Sequence, residues 1–154
     1  MIEEIHRAVN QSWIVLIPLF PFIGFLFNGL GWLLFRERYP RWLANWSACL
    51  AVAGGFIITL LGFYYILKEP AEVYFSQKVF SWLLVDKFRA DFGFNFDHLS
   101  AIMCIVVTLV GLLIHIYATG YMSHDPGYAR FFTYMNLFMF MMLILVLADN
   151  LVLL

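Results

Sequence analysis

Four long apolar runs dominate the sequence and fix its solvent. The first, residues 12–35, carries no charge over 24 residues. At ~1.5 Å per residue a helix of that length reaches ~36 Å, enough to cross a hydrocarbon core of ~30 Å. The second and third runs, 42–67 and 98–122, also lack Asp, Glu, Lys and Arg. The fourth starts at Phe131 and continues to the end of the chain, broken only at Asp149–Asn150. Residues Leu151 to Leu154 read as the opening of a further apolar stretch, as in a chain cut inside a helix. The chain is 64% hydrophobic and only 12% charged. Ordinary soluble domains carry roughly a quarter charged residues, so a water-soluble globule is excluded. Disorder requires the opposite composition. A net charge of −1 offers no basic field for nucleic acid.

The expected fold is an all-α polytopic membrane protein with about four transmembrane helices and the start of a fifth. The first run is not a cleavable signal: its flank Glu3–Glu4 is acidic and its core is too long. Pro18 and Pro21 would break a soluble helix, but in a bundle neighbouring groups can satisfy the freed carbonyls. In the second run Ala44, Ala48, Ala51, Gly55 and Thr59 recur at helical spacing, forming a small-residue face for close approach. Trp13, Trp32, Trp42, Trp46, Tyr64, Tyr65, Tyr117 and Tyr121 sit at the ends of the runs, where rings favour headgroup depth.

Residues 68–97 hold nine of the nineteen charged side chains. There Phe92, Phe94 and Phe96 alternate with Gly93, Asn95 and Asp97, a strand period. With residues 79–85 as partner and Asp86–Lys87 near the turn, the segment predicts a β-hairpin on one membrane surface. Arg36, Arg38, Arg41 and Arg130 crowd into the short loops on the other side. That asymmetry places the short loops in the cytoplasm and the N-terminus and hairpin outside.

Chemistry is sparse. Cys49 and Cys104 lie inside apolar runs, and no CxxC or Cys/His cluster suggests zinc or iron–sulfur binding. In the third run Ser100, Cys104, Thr108, Gly111, His115 and Thr119 fall on one helical face. Ile102, Val106, Leu109, Leu113 and Ile116 occupy the other. Such an inside-out helix suits a hydrated path for protons or plain packing through small residues. His115 lies about six residues past the centre of its run, ~9 Å from the midplane. It titrates in the range of a proton relay. The plainer alternative is a neutral histidine with one hydrogen bond to a neighbouring helix. Asp97 and Asp149 are weaker proton-path candidates: Asp97 is better suited to capping the third helix, and Asp149–Asn150 to ending a helix at the membrane edge. Asn136 suits an interhelical hydrogen bond, and Ser123 to Tyr128 reads as a turn.

From Asp97 onward the sequence resembles the N-terminal signature of subunit L (chain 5) of respiratory NADH:quinone oxidoreductase, complex I. The matching elements begin with Asp97-x-Leu99-Ser100, Leu113-Ile114-His115-x-Tyr117 and Gly120-Tyr121-Met122. They continue through Asp125-Pro126-Gly127-Tyr128-x-Arg130-Phe131-Phe132, Asn136-Leu137-Phe138 and Leu145-Val146-Leu147-Ala148-Asp149-Asn150. On this basis residues 97–154 form the signature region and 1–96 a preceding unit of two helices and the hairpin. The resemblance implies an antiporter-like, proton-translocating subunit in a bacterial inner membrane. Other membrane-arm subunits would be its partners, alongside the lipid bilayer. Flavin, iron–sulfur clusters and quinone would be bound elsewhere, with no cofactor in this chain. Related alternatives are a multisubunit cation/proton antiporter or a fragment that only packs against partners. None of the four runs contains the intramembrane Glu or Lys that the family uses for its main relay. His115, Asp97, Asp149, Ser100 and Thr108 are therefore expected as supporting positions.

Overall fold

The computed structural model describes residues 7–68, 73–85 and 88–149. A short strand, β1 (Arg7–Asn10), leads into α1 (Leu16–Phe35), a 3-10 turn (Arg36–Arg38) and α2 (Arg41–Ile66). Strands β2 (Val73–Val85) and β3 (Phe88–Phe96) follow, then α3 (His98–Tyr121) and α4 (Tyr128–Leu147). All four α-helices are long and apolar enough to cross a membrane. This is a multi-pass membrane protein in which α1 packs on α2 and α4, and α3 packs on α2 and α4. Glu3–Glu4, the expected hairpin turn at Asp86–Lys87 and the expected start of a fifth helix lie outside the described residues.

The small-residue face read from the second run is the seam of the bundle. Ala44, Ala48, Ala51, Gly55 and Thr59 are all buried. Pro21 sits inside α1 and has no N–H for the Ile17 carbonyl. Gly55 of α2 covers that carbonyl: a Cβ there would stand 3.2 Å from Ile17 O and 3.6 Å from the proline ring. Gly24 of α1 lies equally close, because a Cβ would fall 2.7 Å from Ala51 Cβ and 2.8 Å from Asn136 Oδ1. The missing methyls let three helices converge, and dispersion between them replaces the hydrophobic drive that lipid does not supply.

The third helix presents the expected two faces, with its stripe corrected at both ends. Ile102, Val106, Leu109, Leu113 and Ile116 are exposed toward lipid. The buried stripe is Ala101, Cys104, Thr108, Gly111, His115 and Ala118. Ser100 and Thr119 are only half-buried. The observed stripe alternates three- and four-residue steps, the period that keeps one face on a neighbouring helix, whereas repeated four-residue steps drift around the cylinder. The fourth helix begins at Tyr128, three residues ahead of the expected Phe131. The Phe131 amide donates to Gly127 O at 2.9 Å, and Asp125 Oδ1 accepts from the Gly127 amide.

The hairpin forms, but as part of a three-stranded sheet in the order β1-β2-β3. β2 and β3 pair antiparallel, with Phe75 opposite Phe96, Gln77 opposite Phe94 and Phe80 opposite Phe92. β1 adds in parallel, Arg7 opposite Val73 through Asn10 opposite Ser76. Four residues have too short an alternation to announce a strand, and their partner lies 66 positions away. The inward faces of Phe75, Phe94 and Phe96 pack on Ile14, Ile17, Ile66, Cys104 and Leu143 in one core at the hairpin end. Trp13, expected at headgroup depth, is half-buried at that end of the bundle, edge-on to Phe96 at 5.4 Å and seated over Gly62. The Gln77 side chain of β2 accepts from the Val15 amide at 2.9 Å, capping α1 from another element.

Because Gly24 is already in contact on both sides, Gly24→Ala overpacks the α1–α2–α4 junction and should cost about 1–3 kcal/mol. Gly120→Ala meets nothing within 4 Å and should be neutral or stabilising by up to about 1 kcal/mol. Unfolding from mixed micelles by titrated SDS, read by far-UV circular dichroism, measures both.

Candidate functional site

Every polar side chain buried in this bundle must find its partner inside, because acyl tails offer none. The structure solves this in layers along the bundle. Nearest the short loops, fully buried Asn28 is a hub that sequence reading did not single out. Its Nδ2 donates to Ala44 O at 3.3 Å. Its Oδ1 accepts from Tyr39 OH at 3.1 Å and Ser47 Oγ at 2.7 Å. Burial lifts the Tyr39 phenol above its ordinary value, against the opposing effect of the Ser47 hydrogen bond, so it remains a neutral donor. A lone amide in a 24-residue uncharged run was the available signal.

The next layer holds His115 and Asn136, both fully buried. His115 Nδ1 lies 2.8 Å from Gly111 O on its own helix. A carbonyl can only accept, so Nδ1 carries the proton and the neutral ring leaves Nε2 as a bare lone pair. Nε2 makes no hydrogen bond to the described residues, and the ring lies 6.0 Å from that of Phe132 on α4. The hydrogen bond expected to a neighbouring helix is thus replaced by one within α3. Asn136 departs in the same way. Its Nδ2 donates to Phe132 O at 2.9 Å within α4, while Oδ1 faces Gly24 and makes no hydrogen bond to the described residues. One turn of backbone is always within reach of a short polar side chain, and that local partner wins here.

Deeper toward the hairpin, Thr108 Oγ1 donates to Cys104 O at 2.6 Å and Thr59 Oγ1 to Gly55 O at 2.9 Å. At the hairpin end, Asp97 and Ser100 form a reciprocal cap on α3. Asp97 Oδ1 accepts from the Ser100 amide at 2.7 Å, and Ser100 Oγ accepts from the Asp97 amide at 2.8 Å. Asp149 stands just past the end of α4. Its amide donates to Gly93 O at 3.3 Å, and its carboxylate rests on Gly93 of β3, next to the Phe94–Ala148 bridge. The capping and helix-ending geometry anticipated for the two aspartates is therefore present.

These positions form a ladder. Ser100 and Thr108 are separated by ~12 Å of helix, and Thr108 and His115 by ~10 Å. Neither gap allows direct proton transfer, so His115 lies apart from the aspartates, ~8 Å beyond the middle of α3 toward the short loops. Among the described residues no three of His, Cys, Asp and Glu are grouped so as to hold a metal ion. Cys104 is buried and Cys49 half-buried, and both are free thiols.

Residues 82–132 match the family described as NADH-Ubiquinone oxidoreductase (complex I), chain 5 N-terminus. The chain is 43% identical over 140 residues to NADH-quinone oxidoreductase subunit L of Buchnera aphidicola from Acyrthosiphon pisum, covering 91% of this chain and 22% of that protein. It is 36% identical over 147 residues to NAD(P)H-quinone oxidoreductase subunit 5, organellar chromatophore 1, of Paulinella chromatophora, covering 96% and 22%. With the chloroplastic subunit 5 of Chaetosphaeridium globosum it shares 34% over 144 residues, covering 94% and 21%. The chain thus spans about a fifth of the length of the curated relatives it matches.

The Asn28 hub makes a coupled prediction. Tyr39→Phe should cost about 0.5–1.5 kcal/mol, whereas Asn28→Leu strands the Tyr39 hydroxyl and should cost about 1–3 kcal/mol. The double variant should cost less than the sum of the two. A double-mutant cycle on SDS unfolding measures the coupling.

Proposed function

Since this chain belongs to the family of the complex I chain 5 N-terminus, we propose that it is the N-terminal portion of an antiporter-like subunit that translocates protons. In that role it couples quinone reduction elsewhere in the assembly to proton movement across the membrane. The observation that carries this reading is His115: a buried imidazole within a membrane-spanning helix, its Nδ1 proton committed to Gly111 O and its Nε2 lone pair open to the interior. An imidazole held this way takes a proton at Nε2 and returns it from the same atom, without giving up its anchor to the helix. Thr108 and Ser100 extend the polar face toward the hairpin, and Asp97 and Asp149 lie at that same end of the bundle. Gaps of ~10–12 Å require water or neighbouring side chains to complete any relay, so these residues support a path whose principal acids and bases lie elsewhere in the subunit.

In the same reading this chain holds no redox centre or cofactor. Flavin, iron–sulfur clusters and quinone belong to other subunits, and its partners are the membrane-arm subunits and the bilayer. Four of the nine basic residues lie at the short-loop end, Arg36 and Arg38 in the turn between α1 and α2 and Arg41 and Arg130 in the first turns of α2 and α4. This supports a bacterial inner-membrane orientation with those loops in the cytoplasm and the N-terminus and hairpin outside. A cation/proton antiporter subunit would share the bundle.

His115→Leu in the complete subunit should lower proton uptake several-fold in inverted vesicles while assembly on native gels stays near the wild-type level. Equal loss of uptake and assembly would make His115 a packing residue and this segment a structural one.

A further inference from the structure

A second polar region lies away from the His115 layer, at the short-loop end of the bundle. A cavity of about 610 Å³ opens there between the end of α1 and the start of α4. It falls within the ~300–1,000 Å³ typical of small-molecule sites. Arg36, Arg41 and Arg130 line it, together with Trp32, Tyr39 and Tyr128. Arg130 is held over the Trp32 ring at 5.5 Å. Arg41 spends Nη1 on Ser123 O, leaving its other N–H groups to point elsewhere. Among the described side chains the nearby carboxylate is Asp125, whose Oδ1 already accepts from the Gly127 amide. Arg36 adopts φ 45°, the single positive φ of a non-glycine among the described residues. Glycine would occupy that backbone more cheaply.

The cavity does not end at headgroup depth. Trp32, Leu33 and Arg130 also line a second groove of about 190 Å³, which continues toward the membrane interior past Gly29, Thr133 and Tyr134. Gly29 lies six residues short of the end of α1, so the groove descends ~9 Å along the helix from Phe35. A cationic cavity ringed by interfacial aromatics, joined through shared residues to a groove between two lipid-facing helices, has the two-part chemistry of a phospholipid. A free anion would use the first part only. We propose that this site binds an anionic phospholipid of the phosphatidylglycerol type. Its phosphodiester sits among Arg36, Arg41 and Arg130, and the upper part of one acyl chain lies along the Gly29–Thr133 groove. Forked guanidinium donors match the phosphate oxygens, and in the orientation proposed above the basic short-loop side faces the leaflet where anionic lipid collects. This assignment is independent of proton transfer at His115.

Photoactivatable phosphatidylglycerol and phosphatidylcholine with identical acyl chains test it, on the chain purified in mild detergent with whatever subunits accompany it. Labelled peptides from residues 29–41 and 126–134 are read by mass spectrometry. Phosphatidylglycerol should label them well above phosphatidylcholine. Arg36→Gln with Arg130→Gln should reduce that labelling by about tenfold or more, since each basic group near an anionic lipid contributes on the order of 1 kcal/mol. Arg36→Lys with Arg130→Lys keeps the charge and should retain most of it, which separates loss of binding from loss of fold. Equal labelling by the two lipids, absence of label at both peptides, or a Gln pair that labels like wild type overturns the proposal. So does full displacement of the lipid by excess inorganic phosphate, which would mark a site for free anions.

Discussion

Close approach of helix backbones is the constraint on which this structure rests. Lipid gives apolar helices no reason to leave it, so association must come from contacts that lipid chains cannot match. Those contacts occur where a side chain is missing. Gly24 meets Ala51 and Asn136, Gly55 covers the carbonyl that Pro21 cannot use, and Gly111 receives Met139. At Gly24 and Gly55 a methyl group would push two helices apart, and at Gly111 it would displace the end of the Met139 side chain. The prolines of α1, disruptive in isolation, become part of the seam because α2 brings its smallest face against them.

Close packing dictates how polar side chains are treated. With helices this near, a buried hydroxyl or amide finds a backbone carbonyl one turn away on its own helix. Thr59, Thr108, His115 and Asn136 all do so. Asn28 is different: it bridges α1 to α2 and to the turn between them, and so fixes the register of that helix pair at the short-loop end. The local solution leaves His115 Nε2 and Asn136 Oδ1 without a hydrogen bond among the described residues.

At the opposite end the sheet is clasped to the helices by several independent ties. Asp97, the residue that follows β3, and Ser100 in the first turn of α3 form the cap where strand runs into helix. Gln77 caps α1, and the end of α4 bonds back to Gly93. Phe75, Phe94 and Phe96 seal the junction beneath them. The alternation of residues 92–96 already revealed the second half of β3, though it pairs with residues 75–80 and not with the expected 79–85, and the Asp97 cap was readable because its partner is three residues away. The parallel strand β1 was not, since its pairing reaches across α1 and α2 and four residues carry no usable period. The same contrast holds inside the bundle. The face bearing Thr108 and His115 was readable from spacing, but the partner of each ring nitrogen was not.

The amino-acid order by itself determined the solvent, the four crossings, the two faces of α3 and the cap at Asp97. Each follows from composition or from spacing within one or two helical turns. Only the tertiary structure decided that Trp13 belongs to the hairpin core, that Asn28 joins two helices, that His115 bonds its own backbone, and that Arg36, Arg41 and Arg130 surround one cavity. Those outcomes depend on which helix faces lie opposite one another. That is set by many weak contacts summed over the whole bundle, and no local pattern records the sum.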